Sequence, residues 1–233
     1  MKKIFAVLFF TFSFSLFTFN AVAQDEVEAS IDADIVSDYI WRGQNLGNAA
    51  IQPGASVAYK GFSIAAWGSV GIADAADTEE FDLTAAYTIG GFNVGITDYW
   101  FNTADKYFLY KGDGAHTFEA NVGYDFGVAS VQVYTNFAGA DGVNGNGDRA
   151  YSTYVEAAAP FKLGGLDWTA TVGFVPTKTS FYADATDGFA LTNLSLKAAK
   201  EIKITDSFAL PVFAGITANP SANKAYFVFG ISL

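Results

Sequence analysis

Cysteine is absent from the 233 residues, which excludes disulfide staples, thiolate metal sites and attachment of a lipid through an N-terminal cysteine. Histidine occurs once, at His116. Membrane-embedded hydrolases and acyltransferases generally use a histidine beside a serine or a second acid. No serine adjoins His116, although Glu119 lies three residues on, so His116 reads as a solvated loop residue and no catalytic residue is assigned. A P-loop, a dinucleotide fingerprint and zinc-type spacing are all missing, and no cofactor is expected. Bases are scarce, 13 against 24 acids, which argues against nucleic acid as a partner. After residue 23 no apolar run is long enough to span a bilayer as a helix.

The N-terminus carries a different signal. Met1-Lys2-Lys3 is basic, Ile4 to Phe19 is apolar, and Ala21-Val22-Ala23 offers small residues for cleavage before Gln24. The pattern reads as a secretory signal peptide over residues 1–23, with a mature domain over 24–233. The leader takes two bases and no acid with it, so the acidic excess of the mature part rises to 13.

The whole chain is 51% hydrophobic and 17% aromatic, yet in the mature part the apolar residues are dispersed at period two. Val27, Ala29, Ile31, Ala33, Ile35, Tyr39 and Trp41 alternate with Glu26, Glu28, Ser30, Asp32, Asp34, Asp38 and Arg42. Strand geometry sends these two sets to opposite faces, whereas helical spacing would mix them. The same alternation recurs over 50–60, 62–72, 80–89, 92–101, 117–126, 128–137, 150–161, 166–174, 189–199, 207–218 and 224–233. Asp98 breaks parity in the fifth strand, which predicts a bulge or a rim position there. The tenth is the weakest, because Lys197-Ala198-Ala199-Lys200 also suits a helical turn.

Connections alternate in length. Tight turns fall at 60–61, 90–91, near 127 and at 162–165, with 200–206 somewhat longer. Polar links near 43–49, 73–79, 102–116, 138–149, 175–188 and 219–223 lie between them. Short and long links in alternation, an even number of strands and an exported chain predict an all-β fold. It is a single antiparallel transmembrane barrel of about 12 strands with both ends on the periplasmic side. A soluble β-sandwich would alternate similarly but need not alternate its loops. Aromatic residues near strand ends, among them Tyr39, Trp41, Tyr59, Phe62, Phe92, Trp100, Phe126, Phe161, Trp168 and Phe208, suit two membrane interfaces.

Residues 37–43 read Ser-Asp-Tyr-Ile-Trp-Arg-Gly. The chain continues through Ala50-Ile51-Gln52-Pro53 to Gly61-Phe62 and Ala65-Ala66-Trp67-Gly68-Ser69. Over roughly residues 30–70 this resembles the TorF-like or Gcw_chp group of uncharacterised bacterial outer-membrane proteins. The resemblance implies a barrel in the outer membrane of a Gram-negative bacterium, with membrane lipid and the barrel-assembly machinery as partners, and brings no substrate. Outer-membrane proteins often end in an aromatic residue, whereas this chain ends in Leu233.

By parity Asp32, Asp34, Asp38, Arg42, Asp82, Glu119, Asp125, Glu156 and Asp167 face the lumen, Lys60 and Lys197 being the other inward bases, while Tyr39 and Trp41 face lipid or its interface. Asp38 and Arg42 lie too far apart along a strand to pair. Arg42 therefore needs a carboxylate from another strand or a loop, either to pin the barrel mouth or, in the alternative reading, as an arginine that contacts a solute. An acidic interior favours cations in any aqueous path. Asp141 to Asp148 supplies oxygen donors of the calcium type but departs from the EF-hand pattern, and Gly and Asn are ordinary turn residues. Two functions emerge: a narrow small-solute channel, or a non-conducting barrel whose links at 102–116, 138–149 and 175–188 bind a partner.

Overall fold

The computed structural model describes residues 26–74, 77–101, 106–110, 114–182 and 188–233. The expected leader and parts of the links at 102–116 and 175–188 lie outside these. The strands are β1 (Glu28–Val36), β2 (Tyr39–Trp41), β3 (Gln44–Gly47), β4 (Ala50–Tyr59), β5 (Phe62–Gly71), β6 (Glu80–Ile89) and β7 (Phe92–Phe101). They continue with β8 (His116–Asp125), β9 (Ser130–Gly139), β10 (Thr153–Leu163), β11 (Leu166–Val175), β12 (Ala190–Lys203), β13 (Ala209–Asn219) and β14 (Lys224–Ser232). Twelve of them, β1 and β4 to β14, close an antiparallel barrel in which each neighbours the next in sequence. β1 completes the circle, pairing β4 along its whole length and β14 through Asp34, Ile35 and Val36.

The tight turns follow a common grammar. Lys60-Gly61, Gly90-Gly91 and Gly164-Gly165 all have positive φ at both positions, the geometry that lets two residues reverse a twisted pair of strands. Lys60 therefore sits exposed in a turn rather than in the lumen. These turns share one end of the barrel with the first and last strands' outer termini; the long links occupy the other end.

The outer wall is largely apolar and, among the described residues, mostly uncovered. Ile31 (89% exposed), Ile64, Leu83, Ile96, Val122, Val172, Leu196 and Ile216 all point away from the lumen. A sandwich would bury such a face under a second sheet; here none packs on it, which leaves a surface suited to lipid. Tyr59, Phe62, Phe92, Phe126, Phe161 and Phe208 are exposed at the turn end.

Two sequence expectations are corrected and a third is settled. The tenth strand, where 197–200 also suited a helical turn, is β12, the longest strand at 14 residues; Lys197 and Ala199 lie on one of its faces and Ala198 and Lys200 on the other. Asp98 introduces no bulge: β7 stays in register with β6 and β8 through that residue. The wall's register shifts lie elsewhere, at Phe118/Glu119 and Gly173/Phe174. The first strand does not run on to Arg42; it ends at Val36, and the chain then leaves the wall.

Candidate functional site

Residues 39–47 form a hairpin, β2 with β3, whose strands pair with each other and with no barrel strand. Arg42 and Gly43 are its turn, with φ of 50° and 81°, the same grammar that builds Lys60-Gly61. The hairpin folds into the lumen at the long-link end. Tyr39 and Trp41 are 2% and 6% exposed and face barrel interior, not lipid. Both rings carry one polar atom, so they fit a polar lumen as readily as a membrane interface.

The hairpin touches the wall on almost every side. Tyr39 packs near Trp67 of β5, ring centres 5.7 Å apart, and its hydroxyl donates to Glu80 Oε2 of β6 at 2.7 Å. Trp41 meets Tyr99 of β7 edge-on and stacks on Tyr182. Gly43 lies flat on β12, where a Cβ would collide with the Thr192 carbonyl oxygen. Its own carbonyl accepts from Asn219 Nδ2 of β13 at 3.1 Å. On the hairpin's other side Ile40 packs with Val36, Ala50, Phe213 and Val228.

Arg42 is the far anchor. Its Nη1 and Nη2 donate to Glu119 Oε2 and Oε1 of β8 at 2.6 and 2.9 Å, and Nη1 also donates to the Tyr182 hydroxyl. The guanidinium carbon lies 4.4, 4.2 and 4.7 Å from the ring centres of Trp41, Tyr134 of β9 and Tyr154 of β10. Tyr99 donates to Glu119 Oε1 at 2.8 Å and so fixes the carboxylate. Planar guanidinium against planar carboxylate gives two parallel charge-assisted bonds, and the flat cation favours aromatic faces.

Tyr182 arrives from a long link, and the links explain how. Ser152 hydroxyl bonds Asp141 and Thr179, Val143 amide donates to the Ser180 hydroxyl at 2.9 Å, and Ser180 amide donates to Val143 carbonyl at 3.0 Å. The links after β9 and β11 are thus stitched together, with Tyr182 fully buried beneath them. Burial pushes the Tyr182 phenol well up, although Arg42 opposes it, so the hydroxyl keeps its proton. In the same links Asn144 Oδ1 accepts from the amides of Asn146 and Asp148, the self-bonding of an Asx turn. No cluster of three or more His, Asp or Glu arranged to hold a metal is found among the described residues.

The remaining acids occupy distinct levels. Asp82 and Glu156 are buried in the lumen, Asp82 two positions from the likewise buried Glu80 on β6. Glu156 accepts from Tyr154 at 2.7 Å, and the phenol accepts from Asn193 at 3.1 Å. Tyr154 lies across Gly173, where a Cβ would run into its hydroxyl. Asp32 and Asp34 are half-buried nearer the turn end, Asp34 bonded to Ser232 and close to Lys197, whose Nζ lies 3.8 Å from the Phe213 ring centre. Asp38 is half-buried where the hairpin leaves the wall. Asp125 and Asp167 sit at the turn rim with local partners: Asp125 accepts from the Gly127 amide, and Asp167 pairs with Lys162 at 2.5 Å. Trp41 Nε1 and Gln52 Oε1 are buried without a hydrogen-bond partner among the described residues.

His116 is a further correction. It opens β8, is 1% exposed, and faces outward with Asp98, which bonds its Nδ1 at 2.8 Å. Its Nε2 meets the Tyr107 carbonyl oxygen, and the Tyr110 ring stacks on it at 4.3 Å. Residues 106–110 lie against the outside of the wall as a strap, with Tyr107 also against Phe81 and Trp100.

Sequence parity places Tyr134 and Tyr154 on the polar face without marking them as site residues. Glu80, Tyr99 and Tyr182 carry no local signal beyond burial-prone aromatic or acidic chemistry.

Among solved structures, one titled "Structure of porin refined at 1.8 angstroms resolution" is 15% identical, with a TM-score of 0.37, over 80% of this chain and 62% of that one. This chain therefore spans less than two thirds of that porin's length. No curated protein matches. Residues 20–210 match the family described as "Bacterial protein of unknown function (Gcw_chp)", and the chain belongs to that family.

Proposed function

We propose that this chain is a TorF-like outer-membrane β-barrel of a Gram-negative bacterium. It is exported through the periplasm by a leader over residues 1–23, inserted with the barrel-assembly machinery, and acts without catalysis as a narrow small-solute channel held shut at rest. The observation that carries the reading is the hairpin at 39–47. It lies inside the lumen as a separate two-stranded body that shares no ladder with the wall. A closure attached by side chains, by one backbone bond from the Thr78 amide to the Leu46 carbonyl and by two short connections can leave without breaking the hydrogen bonding between barrel strands.

The energetic balance supports a closure that can move. Arg42 with Glu119 holds it in place, while the burial of two acids two positions apart on β6, Glu80 and Asp82, opposes it. Burying a carboxylate costs several kcal/mol, and the group regains water when the lumen opens. Once open, a path lined by Asp32, Asp34, Glu80, Asp82, Glu119 and Glu156 against Lys197 prefers cations.

A second reading rests on the stitched links after β9 and β11, which offer a rigid outer surface for a partner while the lumen stays closed. Planar-bilayer recording separates the two. The parent barrel is expected to open briefly and rarely. A form with residues 38–48 replaced by a short Gly-Ser link is expected to conduct steadily, with cations favoured. If the folded, shortened barrel stays silent, the channel reading fails and the partner-binding reading stands.

A further inference from the structure

The contacts of Arg42 describe more than an anchor. Its guanidinium is enclosed by aromatic rings, by both oxygens of one carboxylate and by a phenol hydroxyl. Only Trp41 among these groups belongs to the hairpin. Glu119, Tyr134 and Tyr154 stand on β8, β9 and β10, and Tyr182 on the link stitched above them. Tyr99 of β7 orients the carboxylate from behind. When the hairpin leaves, this wall keeps a formed receptor for a flat cation.

Glu119 invites a second occupant. It is 2% exposed with Arg42 in place, and when the hairpin leaves, its forked carboxylate is left oriented without the cation it pairs with. We propose that the lumen site is a receptor for small guanidinium cations, with Arg42 as its tethered occupant, which free ligand displaces. The inference rests on the reading of the hairpin as a movable closure, and it names the ligand class of that same site.

The chemistry selects within cations. The forked carboxylate contact uses two parallel N–H donors, which a guanidinium presents in one plane. A primary ammonium gives up the fork, and a quaternary ammonium has no N–H at all, although rings attract it. The tether sets the competition: a linked group acts at an effective concentration in the millimolar range. Free ligand is therefore weak against the parent and stronger once Arg42 is gone.

The test uses the refolded mature chain in detergent, with methylguanidinium as the probe and calorimetric titration as the readout. Arg42→Ala is expected to bind the probe at least ~10-fold more tightly than the parent does, because the tethered competitor is removed. It should bind methylammonium and tetramethylammonium at least ~10-fold more weakly than the guanidinium, through loss of the paired bonds. Adding Glu119→Gln to Arg42→Ala should abolish the preference. Absence of binding by folded Arg42→Ala, or binding that Glu119→Gln leaves unchanged, overturns the proposal, as does equal affinity for methylammonium. Should Arg42→Ala fail to refold, the barrel shortened at 38–48 presents the same wall and is titrated in its place, with the same outcomes decisive. A shortened barrel that conducts but ignores methylguanidinium sinks the receptor alone. One that binds the probe yet stays silent sinks the channel reading alone.

Discussion

Arg42 and Glu119, 77 positions apart in the chain, meet in a buried two-pronged ion pair that ties the tip of a hairpin to the wall opposite its root. Breaking a buried pair from one side leaves the other charge stranded and costs about 3–5 kcal/mol when nothing relaxes. The proposed undocking of the hairpin would cap the loss. Glu119→Gln is expected to lower stability towards denaturant by less than that range and to raise the fraction of time the barrel conducts. Arg42→Lys should act in the same direction, since one ammonium cannot fill the fork. Unchanged conductance together with unchanged stability in both variants would show that the pair holds nothing closed.

Tyr39 makes the near anchor, donating to Glu80 at 2.7 Å. Tyr39→Phe keeps the packing on Trp67 and removes only the hydroxyl. The expected cost is about 1–2 kcal/mol, because the acceptor is a buried carboxylate. In a bilayer this variant should open more often than the parent and less often than the barrel without its hairpin. Combined with Glu119→Gln, the two effects should fall short of additive if both release one body.

The wall of this barrel was legible because a strand with one face on a polar lumen and the other on an apolar exterior must alternate, and the observed strands from β4 onward lie within a few residues of the ranges read from that alternation. The plug was not legible from alternation. Parity separates Tyr39 and Trp41 from Ile40 and Arg42, but it does not say whether the segment still belongs to the wall. The missed signal was turn chemistry: Trp41-Arg42-Gly43-Gln44 repeats the pattern of Tyr59-Lys60-Gly61-Phe62, where a basic residue and a glycine reverse the chain. The site's other half was hidden for another reason. Glu119 and Tyr182 come together only through barrel closure and the stitching of two links, which are long-range events without a local sequence trace. His116 likewise looked like a loop residue, because its aromatic cover comes from residues 106–110 folding back on the wall.

Glycine positions give a sharper test of the docked hairpin. At Gly43 a Cβ would run into the Thr192 carbonyl oxygen, and φ is already +81°. Gly147 has φ +84° with nothing within 4 Å. Both substitutions to alanine carry the backbone penalty of a left-handed residue, about 1 kcal/mol. Only Gly43→Ala adds a clash that lifts the turn from β12. It should therefore raise conductance, while Gly147→Ala should cost stability alone. Equal conductance in the two variants would mean that the hairpin turn does not need its seat on β12.

The outward pair of Asp98 and His116 makes the opposite kind of prediction, about the membrane face rather than the lumen. Both ring nitrogens of His116 face acceptors, and the strap residues Tyr107 and Tyr110 cover the ring from outside. His116→Phe keeps an aromatic ring for Tyr110 but strands the Asp98 carboxylate on an apolar wall. The cost should be about 3 kcal/mol, towards the lower end of that for a buried charge left unpaired, because Asp98 keeps some solvent contact. Replacing both partners by apolar residues, His116→Phe with Asp98→Val, removes the stranded charge and should recover most of the loss. Equilibrium unfolding in lipid vesicles measures each variant. If the double variant is less stable than the single one, the pair itself stabilises the wall, and the strap is more than a cover for a tolerated polar contact.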